Sequence, residues 1–230
     1  MVIPSRRQPV GNGYVNTLTE DGVLLGFSEI GVRFEDTIRY LGNHPVIQLK
    51  QTHSADIWTA ADIPPKTSGD GIILTQRQQI AVLKTADCVP LFFWDSAQTL
   101  AGVIHIGWRG LALGIDKQLV DILRNIKLNF SRLRFYFGPS ISGNCYRVGE
   151  DVYTEFPDHP HRDLMFAKLD RQKFRLDLKT GIRARLTGAG ISSRQIFGSD
   201  LCNHCAVDRF PSYRRDGKSD KRIFNFILLK

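Results

Sequence analysis

Two strand-length apolar runs, Leu91-Phe92-Phe93-Trp94 and Leu100-Ala101-Gly102-Val103-Ile104, follow each other closely, and each carries a chemically active edge. Thr85-Ala86-Asp87-Cys88-Val89-Pro90 puts a thiol before the first run, and His105-Ile106-Gly107-Trp108-Arg109-Gly110 puts an imidazole after the second. A further imidazole, in Gln51-Thr52-His53-Ser54, follows the short apolar segment Val46-Ile47-Gln48-Leu49. Taken singly, such a cysteine is more often a small buried filler than a ligand, and a strand-end histidine is more often a hydrogen-bonded core residue. Three strand ends meeting at one sheet margin change that reading, because they bring one thiolate and two imidazoles together. His53, Cys88 and His105 then form a zinc site with one position open, the stoichiometry of catalytic rather than structural zinc. Zn²⁺ there holds Cys88 deprotonated at neutral pH.

The remaining patterning sets the frame. Strand-length apolar segments fall at 46–49, 71–74, 80–84, 90–94 and 99–105, with a loop over 62–69. After Gly110 the period changes: Leu111, Ile115, Leu119, Ile122, Leu123 and Ile126 paint one stripe on a helix. Trp108-Arg109-Gly110 therefore lies where a strand hands over to a helix, a place where backbone N–H groups can receive an anion. A strand is predicted at Leu133–Phe137, a short helix over 149–156, and a second long helix through Leu176, Leu178, Ile182 and Leu186 that stops at Gly188-Ala189-Gly190. Late strands follow near 195–197 and 223–229, whereas 1–45 is weakly patterned apart from turns at Gly11-Asn12-Gly13 and Asp21-Gly22. Interleaving without strict alternation predicts an α/β or α+β fold: a single layered domain over 1–230, mixed sheets flanked by helices, with 1–45 a divergent N-terminal portion.

Composition narrows the function classes. A hydrophobic content of 42% with 23% charged residues is globular, no apolar run reaches membrane-spanning length, and the polar start lacks a secretory leader pattern. Four cysteines make no disulfide scaffold in a chain of this size, so the expected location is the cytoplasm. The net charge of +8 is concentrated: residues 171–230 carry 14 Lys/Arg against 5 Asp/Glu, while residues 1–170 carry 17 against 18. Such a basic quarter suits an anionic substrate such as phosphate. With no recognition-helix pattern, aromatic RNA signature or zinc-finger spacing, nucleic acid is not the expected partner, and nothing in the sequence fixes an oligomeric state.

Other residues complete a candidate site. Asp70, in Ser68-Gly69-Asp70-Gly71, and Asp87, beside Cys88, are candidates for proton acceptor or for orienting a metal ligand, although Asp-Gly is also common turn chemistry. Arg109, Arg214 and Arg215, with Lys50 and Lys84, are candidates to bind phosphate through paired or point-charge contacts; Arg109 stands first because it adjoins the helix start near His105. Cys202-Asn203-His204-Cys205 competes for the metal as half of a structural zinc site or as a redox pair, but no second CxxC accompanies it. Asp158, His159, His161 and Asp163 read as a solvent-facing polar loop.

Taken together, Gln51-Thr52-His53-Ser54, Ser68-Gly69-Asp70-Gly71, Thr85–Pro90, His105–Gly110, Gly138-Pro139-Ser140-Ile141, Tyr146-Arg147-Val148-Gly149 and Phe210-Pro211-Ser212-Tyr213-Arg214-Arg215-Asp216 resemble the YfiH-like laccase-domain proteins, also called multicopper polyphenol oxidase domain proteins. The resemblance covers roughly residues 46–230 and implies one α/β domain with zinc at His53, Cys88 and His105. It also implies phosphorolysis of adenosine, inosine, guanosine and methylthioadenosine, and deamination of adenosine. Asp70, Asp87 and Arg109 are then the catalytic candidates, with Lys50, Arg109, Ser140, Arg214 and Arg215 toward substrate and phosphate. Copper-dependent phenol oxidation and a peptidoglycan-editing role with a structural metal are the alternatives the resemblance carries. Six histidines are too few for the blue-copper centre plus copper cluster of a multicopper oxidase. With zinc, deamination has a direct account, an activated water attacking C6 of the purine while Asp70 or Asp87 moves protons. Three segments depart from the family, one of them at His204 and Cys205, which stand where the family has Thr and variable residues after the Cys at 202. Gly26-Phe27-Ser28-Glu29-Ile30-Gly31-Val32 lacks the usual Arg-x-Gly-Gly-Val-Ser loop, and Ser219-Asp220-Lys221-Arg222 keeps only the Arg of Thr-Gly-Arg.

Overall fold

The strand Val89–Asp95 is buried along its whole length, and the layers of the molecule are built on its two faces. The structure is a computed structural model that describes residues 6–64, 67–217 and 219–230, so Pro65-Lys66 of the expected 62–69 loop lies outside the described residues. In chain order the elements are β1 (Arg6–Val10), β2 (Gly13–Glu20), β3 (Val23–Ser28), α1 (Phe34–Leu41), β4 (Val46–Ile47), β5 (Ile57–Thr59), β6 (Gly71–Leu74) and β7 (Gln79–Thr85). They continue with β8 (Val89–Asp95), β9 (Ala101–Ile106), α2 (Trp108–Ala112), α3 (Ile115–Asn125), β10 (Leu133–Phe137), β11 (Arg147–Gly149), α4 (Glu150–Thr154) and α5 (Arg162–Met165). The last are β12 (Phe166–Lys168), β13 (Lys173–Leu176), α6 (Leu178–Gly188), β14 (Ile196–Gly198) and β15 (Ile223–Leu229). No described helix is long and apolar enough to cross a membrane.

Two six-stranded mixed sheets, ordered β1-β2-β3-β15-β7-β4 and β14-β10-β8-β9-β6-β5, stack face to face, and a small sheet β11-β13-β12 stands beside them. Alternation along β8 explains the stacking. Phe92 and Trp94 point into a core shared with Leu25, Phe27, Leu83 and Ile227 of the first sheet. Leu91 and Phe93 point the other way, onto Leu119 and Leu123 of α3 and Ile182 and Leu186 of α6. The outer face of the first sheet, through Val15, Val82 and Phe226, is covered by Leu41 and Ile38 of α1. The order of layers is therefore helix, sheet, sheet, helices.

Several sequence expectations change, among them Leu176, whose spacing places it in the second long helix but which instead ends β13. The weakly patterned N-terminal residues carry regular structure: β1, β2 and β3 form a meander whose last strand pairs with the C-terminal β15. The pattern was weak there because β1 is an edge strand, largely exposed, and carries little apolar periodicity. The two-residue turn at Asp21-Gly22 holds φ at 47° and 72°, as a tight hairpin needs. The stripe from Leu111 to Ile126 is two helices rather than one, broken where Gly114 takes φ 83°. The polar patch at 158–163 does not wholly face solvent: the His159 side chain is buried, with Nε2 3.8 Å from the buried Asp116 carboxylate, which also accepts from Arg185 Nε at 3.0 Å.

The altered segment after β3 is held by a charge cluster. Glu29, 4% exposed, accepts from Arg7 Nε and Nη2 at 3.0 and 2.9 Å, from Arg209 Nε at 2.9 Å and from Asn16 Nδ2 at 2.9 Å. Burial alone raises a carboxyl pKa, but these donors outweigh it and lower that of Glu29 to about 2. A carboxyl depressed from its ordinary 4.5 stabilises the fold above that pH and loses the contribution as pH falls through about 2. Glu29→Gln is expected to cost about 3 kcal/mol in urea unfolding at neutral pH. The gap from wild type should close between pH 4.5 and about 2; denaturation curves that stay equally separated across that range would contradict the assignment.

Candidate metal centre

The site forms where the two sheets open at one margin. In the antiparallel β8–β9 pair Val89 stands opposite Ile106 and Pro90 opposite His105, so Cys88 faces Gly107 just beyond the last rung. His53 arrives from the loop that carries the chain from β4 in the first sheet to β5 in the second, and takes φ 60° there. That loop is pinned to β7 by reciprocal bonds, Gln51 Nε2 to Lys84 O and Lys84 N to Gln51 Oε1, each 2.8 Å.

One ligand atom from each of His53, Cys88 and His105 lies within 4.8 Å of the other two. Cys88 Sγ is 4.0 Å from His53 Nε2, and the two imidazoles meet edge to face at 4.8 Å between centroids. Zinc bonds of about 2.0–2.3 Å set tetrahedral ligands roughly 3.5 Å apart, so the donors need only a small contraction. Space for an ion is also written into Gly107: a Cβ there would stand 2.9 Å from Cys88 Sγ and 3.0 Å from His53 Cδ2. The donor set and the missing side chain both fit a resident zinc.

Behind His105 stands Asp70, fully buried. Its Oδ1 is 2.7 Å from His105 Nδ1, while Oδ2 accepts from Thr52 N at 3.1 Å, Ser54 N at 2.7 Å and Ser54 Oγ at 3.0 Å. Burial pushes the Asp70 carboxyl up, but the His105 bond and the Ser54 and Thr52 amides prevail and hold it near 2. For His105, burial pushes the pKa down, and the Cys88 sulfur and Asp70 lift it to about 9. For Cys88, burial pushes the thiol up, and His105 and His53 bring it down to about 6. The sulfur is therefore thiolate-prone before any ion arrives.

The three donors open on a cavity of about 570 Å³. Asp87, at φ 88°, lines it with Oδ1 accepting from Ser212 Oγ and Oδ2 from Arg214 N, both at 2.7 Å. Arg109 and Arg214 line it as well, Arg109 lying 4.3 Å over the Trp108 ring and Arg214 5.2 Å from that of Tyr146. Other predicted residues are placed elsewhere. Lys50 is exposed and is not among the lining residues, a position taken by Lys84. Ser140 is fully buried off the cavity. Arg215 spends its guanidinium on the carbonyls of Asn203, His204 and Phe210 and on Asp216. Cys202 and Cys205 group with Cys145 rather than with the His53–Cys88–His105 set, so neither fills its fourth position.

Sequence reasoning gave no role to Tyr146, Tyr213 or Arg222, all of which line the cavity. Tyr146 had a signal in the Tyr146-Arg147-Val148-Gly149 motif; burial, reinforced by the nearby Cys88, pushes its phenol pKa up. The altered segment Glu29–Arg33 borders an adjoining cavity of about 600 Å³ that shares Lys84 and Arg222 with the first. Asp70→Asn is expected to weaken zinc binding by roughly 10- to 100-fold, because the amide no longer fixes the His105 tautomer. Gly107→Ala should lose the ion while the fold survives; both are read by metal titration alongside circular dichroism.

A profile of the multi-copper polyphenol oxidoreductase laccase family matches residues 32–230. Purine nucleoside phosphorylase YlmD of Bacillus subtilis is 36% identical over 70% of this chain and 59% of its own length, so the match spans less than two thirds of that relative. Adenosine deaminase RL5, from an unknown prokaryotic organism, is 30% identical over 80% of this chain and 75% of its own. Among solved structures, YfiH of Bacillus licheniformis superposes with a TM-score of 0.86 at 28% identity, covering 96% of this chain and 97% of that one. YlmD of Geobacillus stearothermophilus gives 0.83 at 25% identity, covering 98% and 99%. The chain thus belongs to the YfiH-type, laccase-like family of multi-copper polyphenol oxidoreductase domains.

Proposed function

We propose that the chain is a zinc-dependent purine nucleoside phosphorylase, splitting adenosine, inosine, guanosine or methylthioadenosine, and that the same site deaminates adenosine. One juxtaposition carries the reading: a three-donor metal set at the base of a cavity with aromatic and cationic walls. At about 570 Å³ the cavity lies in the range of small-molecule sites. The names of relatives such as purine nucleoside phosphorylase YlmD and adenosine deaminase RL5 support the substrate class.

His53, Cys88 and His105 would hold the zinc, which when bound supplies Lewis acidity and a nucleophile at neutral pH. The chain's own groups do the rest. His105 Nδ1–H donates to Asp70 Oδ1, which leaves Nε2 for the ion. With both Asp70 oxygens engaged inside the protein, its work is to orient His105. Asp87 lines the cavity and keeps lone pairs beyond the two that Ser212 and Arg214 occupy, so it is the proton-handling carboxylate. Trp108, Tyr146 and Tyr213 offer faces to a purine, and Arg109, Arg214, Lys84 and Arg222 offer positive charge to phosphate. In phosphorolysis a phosphate oxygen bonds to C1′ as the C1′–N9 bond breaks, and the purine leaves with a proton. Four cysteines, all free, suit a reducing compartment, and the cytoplasm is the proposed location.

The donor set of two imidazoles and a thiolate also suits copper, and the family description names an oxidase. Metal analysis of untreated protein, combined with products from adenosine with and without phosphate, separates the readings. Zinc, with adenine formed only when phosphate is present and inosine formed without it, is the expected result; copper together with oxygen uptake on a phenol overturns it. Cys88→Ala should lose both zinc and nucleoside turnover. Arg109→Ala should raise the KM for phosphate by roughly 10-fold, the loss of one charge-assisted contact.

A further inference from the structure

Apart from the His53–Cys88–His105 group, a second set of soft donors meets between two loops. The first loop turns at Ser142, whose carbonyl accepts from Cys145 N and Tyr146 N at 3.0 Å each. The second is the CxxC turn, in which Cys202 O accepts from Cys205 N at 3.1 Å and from Ala206 N at 2.9 Å. Backbone bonding locks them together: Asn203 N donates to Ser140 O at 3.2 Å, and Ser142 N donates to Cys202 Sγ at 3.3 Å. The result is that Sγ of Cys145, Cys202 and Cys205 all lie within 4.8 Å of one another, with Cys145 and Cys205 only 3.2 Å apart and none of them bridged.

We propose that Cys145, Cys202 and Cys205 form a second metal site, binding one thiophilic d¹⁰ ion, zinc or copper(I), through three thiolates. Soft sulfur donors select such ions, and a CxxC turn joined by a cysteine from another loop is a common way to assemble them. On binding, three S–H bonds give way to three metal–sulfur bonds and three protons pass to solvent. The negative charge left on the sulfurs is met by the Ser142 amide and by Arg215, whose Nη1 donates to Asn203 O at 2.8 Å and His204 O at 3.0 Å, between the two turn cysteines. The ion has a structural consequence. Cys145 precedes Tyr146, a cavity-wall residue, and Arg215 follows Arg214, whose amide holds Asp87. An ion on the three sulfurs pins both wall segments to each other. This assignment does not depend on the nucleoside chemistry.

The test uses the full reduced chain, loaded anaerobically in separate arms with Zn²⁺ or Cu⁺ and freed of loose ions before metal counting. Wild type should hold two ions per chain in at least one arm, and the arm that supplies the second names the ion. Cys205→Ser, at an exposed position, and Cys145→Ser should each fall from two to one. Cys88→Ala should also fall to one, retaining the ion of this second site. Mass mapping of iodoacetamide-labelled wild type should show Cys145, Cys202 and Cys205 protected together on loading. A Cys205→Ser protein that holds as many ions as wild type in both arms, a Cys88→Ala protein that holds none in either arm, or labelling of Cys145, Cys202 and Cys205 unchanged by loading would each overturn the proposal.

Discussion

The register of β9 between its two neighbours is the constraint on which the site depends. Against β8 it sets Cys88 opposite Gly107, and against β6 it sets Gly71 opposite Ile104, so that His105 N donates to Asp70 O at 2.7 Å. The same two residues are joined again through their side chains, Nδ1 to Oδ1, at 2.7 Å. Neighbouring rungs thus align the carboxylate, imidazole and thiol across three strand edges. Slipping that register by one residue would turn His105 to the opposite face of the sheet and dissolve the row. His105 lies on β9, and Cys88 and Asp70 immediately precede β8 and β6, which gives them the rigidity a preorganised site requires. His53 comes from the longer loop between β4 and β5, and that loop is tied down at Lys84 and through Thr52 and Ser54 to Asp70.

The row is also an electrostatic unit. Each member is opposed by burial, and each is carried by its neighbour's charge: Asp70 near 2, His105 near 9, Cys88 near 6. The charged pattern therefore runs minus, plus, minus from Asp70 to Cys88, with the His105 proton supplying the positive centre. A divalent cation held by His53, Cys88 and His105 would bring positive charge to the sulfur side of the same imidazole, and its uptake would displace the proton from Nε2 while Nδ1–H stays on Asp70. The anions that would surround a cation are thus already assembled.

Much of this was legible in the chain. The β8 and β9 runs, the period change after Gly110 and the thiol and imidazole at the strand edges all appear as local pattern, because residues buried on both faces read as unbroken apolar stretches. The first sheet was harder to read. β1 to β3 are recognisable only once β15, some two hundred residues later, supplies the partner strand, and no local window contains that pairing. The small β11-β13-β12 sheet escaped for a similar reason, being three- and four-residue strands below any periodicity. At the site, residue type told which groups could bind an ion but not which aspartate stood behind the ligand and which faced the cavity. That division came from where Thr52, Ser54 and Ser212 place their donors.

Net charge shows the same gap between residue count and residue use. Residues 171–230 hold 14 Lys/Arg, a number that suggests a broad cationic surface for an anionic substrate. The structure spends several of them internally. Arg185 answers buried Asp116, Arg209 answers buried Glu29, and Arg215 caps three backbone carbonyls. Arg214 and Arg222 reach the cavity, where Lys84 and Arg109 from the earlier, charge-balanced part of the chain join them. The positive potential in the cavity thus comes from four side chains drawn from both halves, set opposite one lining carboxylate, Asp87. The field in the cavity is set by that local arrangement, since charges buried in their own ion pairs contribute little field at a distance.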